Sequence, residues 1–162
     1  MKLSDGLFLK TARQVQKEYP GIDLEEVLVD NMAMQLVLNP ASYKIILTSN
    51  LYGDILSDLA AGLVGGLGLI AGANLGDNVA IFEAVHGSAP DIAGKNLANP
   101  SAMLQACIMM LDHLGESKYA QILETSLMDV LSNPANFTND LGGSSTTDEF
   151  KEKLLQEIKS HG

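Results

Sequence analysis

The apolar positions along the chain fall into helix-spaced and strand-like groups. Leu7, Phe8, Ala12 and Val15 follow Leu3-Ser4-Asp5 at helical spacing. This predicts a helix capped by Ser4 or Asp5 and stopped at Tyr19-Pro20-Gly21. The short runs Val27-Leu28-Val29 and Ile45-Ile46-Leu47 predict buried strands, with a helix over 31–38 before Asn39-Pro40. Asn50 to Gly53 reads as a loop, with helix from about Asp54 onward. Val79-Ala80-Ile81-Phe82 predicts another strand, followed by a Gly- and Pro-rich loop over 83–100. Helices are predicted over 101–113 and 117–132, and over 147–160 after Asn133-Pro134 breaks the pattern. Strands alternating with helices indicate an α/β architecture. So few strands for so many helices read as part of an α/β fold.

The totals narrow the function classes. In 162 residues, 46% hydrophobic and 19% charged is a globular balance, long enough for one domain with a core. Twenty acidic against ten basic residues give a formal charge of −10, without any basic run. A phosphate-tracking surface needs clustered Lys and Arg, so no nucleic-acid partner is expected. The single Cys107 excludes an internal disulfide and reads as a buried structural thiol in a reducing compartment. In MKLSDGLFLKTARQ, Asp5, Lys10 and Arg13 interrupt the apolar residues, so no targeting signal is expected in this chain.

Residues 59–76, LAAGLVGGLGLIAGANLG, carry no formal charge over 18 positions, and Gly68/Gly72 and Gly72/Gly76 even show G-x-x-x-G spacing. Six glycines argue against a membrane span, since each lowers helix propensity by about 1 kcal/mol. The flanks Asp58 and Asp77 supply no basic anchor, and no membrane is expected as a partner. Gly66-Leu67-Gly68-Leu69-Ile70-Ala71 matches G-x-G-x-x-A. A dinucleotide fingerprint, however, joins a strand to a helix, and these glycines follow a predicted helix. A buried helix and then a glycine-rich turn, packed closely on another subunit or element, is the preferred reading of 62–76.

Two polar clusters carry candidate chemistry. Asp54 and Asp58 lie one helical turn apart, so their mutual repulsion needs water or a cation to offset it. Solvation with a helix-dipole contact and a hard-metal site both fit that spacing. With no His or Cys nearby, the ion would be Mg²⁺ or Mn²⁺. Asp30 falls where a predicted strand meets a predicted helix, a usual place for sites in α/β proteins. The second cluster is Glu83-Ala-Val-His86-Gly87-Ser88-Ala89-Pro90-Asp91-Ile92-Ala93-Gly94. Such a loop suits phosphate oxygens through backbone N–H groups and Ser88, and a ribose diol through Asp91. On composition alone, an ordinary surface loop with His86 satisfied locally is the favoured reading.

NLYGDILSD together with FEAVHGSAPDIAGKNLANP resembles the isocitrate and 3-isopropylmalate dehydrogenases, the β-hydroxyacid oxidative decarboxylases. The resemblance runs from MKLSDGLF to DLGGSSTTDEF. GGLGLIAGANLG and FEAVHG are similar to the NAD-dependent isocitrate dehydrogenases of that family, whereas isopropylmalate enzymes usually carry P-G-S-L-G and E-P-x-H-G. The resemblance implies hydride transfer from a 2-hydroxy acid to NAD, then loss of CO₂. A divalent cation would acidify the alcohol and stabilise the enolate.

It further implies that Asp54 and Asp58 bind Mg²⁺ or Mn²⁺ and that Asp30 reaches the partner subunit's ion. A homodimer or hetero-oligomer follows from that. His86, Gly87, Ser88, Ala89, Pro90, Asp91, Ile92 and Asn99 match the adenosine- and phosphate-binding segment. NADP-dependent members commonly have Lys-Tyr at the Asp91-Ile92 positions, so NAD is implied. The implied fold is a partial isocitrate/isopropylmalate dehydrogenase fold lacking the N-terminal half. Residues 1–64 match part of the small dimerising domain, and 65–162 the C-terminal part of the large cofactor-binding domain. The family's substrate-gripping Ser and Arg residues and its catalytic Tyr and Lys match nothing here. No catalytic residue is therefore assigned, and the chain alone is expected to be inactive. The substrate is expected to be isocitrate-like. The alternatives are an isopropylmalate or homoisocitrate dehydrogenase fragment and a non-catalytic interaction subunit. Bacterial cytoplasm is the expected location, with the mitochondrial matrix as the alternative.

Overall fold

The computed structural model describes residues 2–162, which divide into two compact units at Ile46/Leu47. In the first unit, α1 spans Ser4–Gln16 and α2 spans Val29–Leu38. Leu3 occupies the N-cap of α1 in a helical conformation, so neither Ser4 nor Asp5 caps it. Ser4 Oγ instead donates to the Asp5 carboxylate over 3.4 Å. The apolar face of α1 is uncovered, with no buried residue and with Leu7 65% exposed. The Arg13 guanidinium grips the Glu26 carboxylate through two N–H groups, Nη2 to Oε2 at 2.6 Å. The hydrogen bond from Arg13 holds the Glu26 carboxyl below its usual range.

Neither expected strand in this region forms a ladder. Leu28 is extended but its carbonyl already accepts from Met32 N at 2.8 Å and Val29 is helical, while 45–47 belong to no helix or ladder. Ile45 is 90% exposed. Both runs have strand composition, but a strand exists only when another strand takes up its N–H and C=O groups.

The second unit opens with α3, Asn50–Leu63. The expected loop at Asn50–Gly53 is its first turn, because Ser49 at the N-cap is extended and its carbonyl accepts from Gly53 N at 2.9 Å. Gly53 fits a close approach here, since a Cβ would lie 3.3 Å from Thr48 Cγ2. The helix ends at Gly65 and Gly66, both at positive φ (113° and 110°), where Gly66 N donates back to Ala61 O. The G-x-G-x-x-A match thus leads out of a helix, the reverse of a dinucleotide fingerprint.

After a 3₁₀ turn at Leu67–Leu69 comes β1, Ala71–Leu75, which pairs antiparallel with β2, Ala80–Ala84. The helix-then-glycine-turn reading of 62–76 therefore holds through the turn and fails at Ala71–Leu75, which is strand. AGANL has poor strand composition and becomes a strand because β2 pairs with it, Ala73 opposite Phe82. The 79–82 run is strand as expected, shifted to 80–84, so Glu83 belongs to β2 and bonds Asn74 across the hairpin at 3.0 Å.

Helices α4 (Ser101–His113), α5 (Ser117–Ser132) and α6 (Thr147–His161) match the periodicity closely. Helix α4 packs against the hairpin and α5, and α5 packs against α6. Ile108, Ala120, Leu127, Val130, Phe150 and Leu154 form the core between them. Thr146 and Glu149 close a capping box at the start of α6. Cys107 is half-buried beside the buried Ala106 and Ile108, not fully enclosed. Among the described residues, no helix is long and apolar enough to cross a membrane.

Candidate functional site

Asp54 and Asp58 stand on the exposed side of α3, while Leu56 and Ala61 are buried. Asp54 sits one turn inside the helix, so the first-turn dipole contact considered from the sequence does not apply to it. Its Oδ2 accepts from Asn50 Nδ2 at 3.2 Å, one turn earlier, which aligns the carboxylate along the helix surface. Two exposed carboxylates at i and i+4 offer only hard oxygen ligands, a donor set suited to Mg²⁺ or Mn²⁺. Asp30 belongs to the first unit, in the first turn of α2, where its Oδ1 accepts from Asn31 N at 2.7 Å. It lies at the start of a helix as expected, but the residues before it form no strand.

The second cluster lies on the segment between β2 and α4. His86, Gly87, Ser88, Ala89, Pro90 and Asp91 are exposed, and Ile92 is half-buried. His86 Nδ1 is 3.0 Å from the Gly87 carbonyl, which suits the tautomer carrying its proton on Nδ1. Ala89 has a φ of 41°, and its carbonyl accepts from Ile92 N at 3.1 Å, so the Ala89–Ile92 stretch forms a turn. A chain folded this way leaves Ser88 and Asp91 directed by backbone geometry and open to solvent.

Two anchors hold the far end of this segment, and neither was legible in the sequence. Asn96, at φ 58°, donates from Nδ2 to Asp148 Oδ2 and accepts Asp148 N at its Oδ1, both at 3.1 Å. Thr147 Oγ1 donates to Ala98 O at 2.6 Å, so the start of α6 grips the loop. Asn99 is nearly buried: its Oδ1 accepts from Ser101 N and its Nδ2 donates to Asp140 Oδ2, each at 3.0 Å. Asp140 in turn accepts from the buried Thr138 at 2.5 Å. The Asn99 side chain thus ties the loop end to the entry of α4. Gly68 borders this node, since a Cβ there would come within 2.7 Å of Asp140 Oδ2. The Thr-x-Asp spacing of Thr138 and Asp140 marks a local turn, but nothing near it in sequence points to Asn99.

Residues 1–154 match the family model described as isocitrate/isopropylmalate dehydrogenase. An isocitrate/homoisocitrate dehydrogenase of Thermus thermophilus is 51% identical over 160 residues, covering 99% of this chain and 48% of that protein. A mitochondrial regulatory subunit of the NAD isocitrate dehydrogenase of Dictyostelium discoideum is 52% identical over 159 residues, covering 98% of this chain and 45% of that protein. The crystal structure of isocitrate dehydrogenase from Methylococcus capsulatus superposes with a TM-score of 0.90 at 48% identity, over 98% of this chain and 47% of that one. The chain spans about half the length of the curated relatives it matches.

Proposed function

The chain belongs to the isocitrate/isopropylmalate dehydrogenase family, and from that premise we propose that it is the metal- and NAD-binding part of an oxidative decarboxylase acting on isocitrate. The observation that carries this reading is the pairing, within one compact unit, of an all-oxygen aspartate pair on α3 with an anchored, solvent-open loop at His86–Ile92.

In this proposal Asp54 and Asp58 hold Mg²⁺ or Mn²⁺, and Asp30 completes the same set on the partner subunit. The bound ion supplies Lewis-acid stabilisation of negative charge developing on the substrate. The protein's own part is binding and orientation. Asn50 steers the Asp54 carboxylate. The turn at Ala89–Ile92 presents Ser88 and backbone N–H groups to the cofactor's phosphates. Asp91 accepts from the adenosine ribose hydroxyls and repels a 2′-phosphate, which selects NAD over NADP. Asn99 serves by fixing the end of the loop.

Residues 1–64 are assigned to the small dimerising domain and 65–162 to the large one. That division follows how the family's subunits assemble, whereas the Ile46/Leu47 boundary follows compactness within this chain. The groups that grip substrate carboxylates and move protons in the family match nothing in these residues, so turnover by them alone is not expected. The near-equal likeness to a regulatory subunit supports a second reading, in which the chain is an interaction subunit of a hetero-oligomer. The presence of all three aspartates favours metal binding over that reading. The proposed location is a reducing aqueous compartment, bacterial cytoplasm or mitochondrial matrix.

Titrating the chain with Mn²⁺ and NAD, followed by electron paramagnetic resonance and calorimetry, tests the assignment. Saturable Mn²⁺ binding that disappears in the Asp54→Asn, Asp58→Asn double variant is the expected result. Undiminished binding in that variant would sink the metal site. Tighter binding of NADP than of NAD would sink the role of Asp91.

A further inference from the structure

A second cluster of metal-ligating side chains lies away from both regions just described. Asp129 is in the last turn of α5, and Glu157 and His161 are one turn apart at the end of α6. One ligand atom from each can be chosen so that all three lie within 4.8 Å of one another. His161 Nε2 and Asp129 Oδ2 are already 2.8 Å apart. Around a tetrahedral ion with ligand bonds of about 2.0–2.1 Å, donor atoms sit roughly 3.3 Å apart. The His161–Asp129 pair is already closer than that spacing and a Glu157 oxygen lies within 4.8 Å of both, so side-chain rotations would close the three on one ion.

One further feature favours a cation at this position. The carbonyl ends of α5 and α6 both lie here, and helix C-termini carry partial negative charge. The imidazole also borders a shallow, open cleft of about 250 Å³ lined by Lys118, Gln121, Ile122 and Thr125. One nitrogen and two carboxylate oxygens form a borderline set, unlike the all-oxygen pair on α3. That chemistry suits Zn²⁺ or Co²⁺ over Mg²⁺.

We propose that Asp129, Glu157 and His161 form a divalent transition-metal site that clasps the C-terminal ends of α5 and α6. Visible absorption of Co²⁺ tests it, in a chain carrying Asp54→Asn and Asp58→Asn so that the α3 pair contributes nothing. The expected result is uptake of one equivalent with a ligand-field spectrum. Zn²⁺ should displace it, and a hundredfold excess of Mg²⁺ should not. His161→Gln and Asp129→Asn, each checked for unchanged helicity by circular dichroism, should each weaken Co²⁺ binding at least tenfold. No saturable uptake, displacement by Mg²⁺, or unchanged affinity in both variants would overturn the site.

Discussion

Asn99 Nδ2 donates to Asp140 Oδ2 across 3.0 Å and 41 residues of sequence, joining the end of the candidate cofactor loop to the turn before α6. Thr138 donates to the other Asp140 oxygen, and Ser101 N donates to the Asn99 carbonyl oxygen. The loop is therefore held by a chain of charge-assisted and neutral hydrogen bonds that runs from the exposed Asp140 to the buried Asn99, Ser101 and Thr138.

Removing the acceptor at its centre should be costly. Asp140→Ala leaves the nearly buried Asn99 amide and the Thr138 hydroxyl without their partner, which costs about 1–3 kcal/mol. The expected outcome is a lower thermal midpoint and weaker NAD binding, with Mn²⁺ affinity unchanged. Differential scanning calorimetry and paired titrations of the two ligands check it.

The α3 aspartates should behave oppositely in the absence of metal. Like charges at i and i+4 destabilise a helix by about 0.2–0.5 kcal/mol. In EDTA, Asp54→Asn with Asp58→Asn should therefore be as stable as the parent chain or slightly more so, measured by urea denaturation. A marked loss of stability would mean that the pair has a structural role.

The capping box of α6 makes stability depend on acid. Hydrogen bonds from the Thr146 backbone and hydroxyl hold the Glu149 carboxyl below its usual range. The salt-linked hydrogen bond from Lys151 does the same for Asp148, and the one from Arg13 for Glu26. A carboxyl whose folded pKa is depressed contributes fully above its unfolded value, 4.5 for Glu149. That contribution fades as pH falls from there through the lower folded value. Helicity followed by circular dichroism from pH 6 to 3 should fall in that window, and Glu149→Gln should show a smaller drop. Thr146→Ala should cost about 1 kcal/mol at neutral pH.

Phe150, on α6, is fully buried in the core it shares with Ile108 of α4 and Leu127 and Val130 of α5. Phe150→Ala should cost about 3–5 kcal/mol through lost transfer energy and an unfilled cavity. Because α6 also holds the loop through Thr147 and Asp148, NAD binding should weaken with it. Chemical denaturation and NAD titration of the same variant check both effects.

The amino-acid sequence alone determined the three C-terminal helices, because helical hydrogen bonds are local and the 3.6-residue apolar spacing is visible within each segment. It also set the aspartate spacing on α3 and the turn-forming composition of residues 86–94. Tertiary structure decided everything that depends on a distant partner. Ala71–Leu75 became a strand because β2 pairs with it. Ile45–Leu47, with far better strand composition, did not, since among the described residues nothing bonds its backbone as a ladder. The loop anchors followed the same rule: Asn96 meets Asp148 across 52 residues and Asn99 meets Asp140 across 41. Short-range periodicity carries no record of such pairs, because which distant groups meet is settled only when the helices pack.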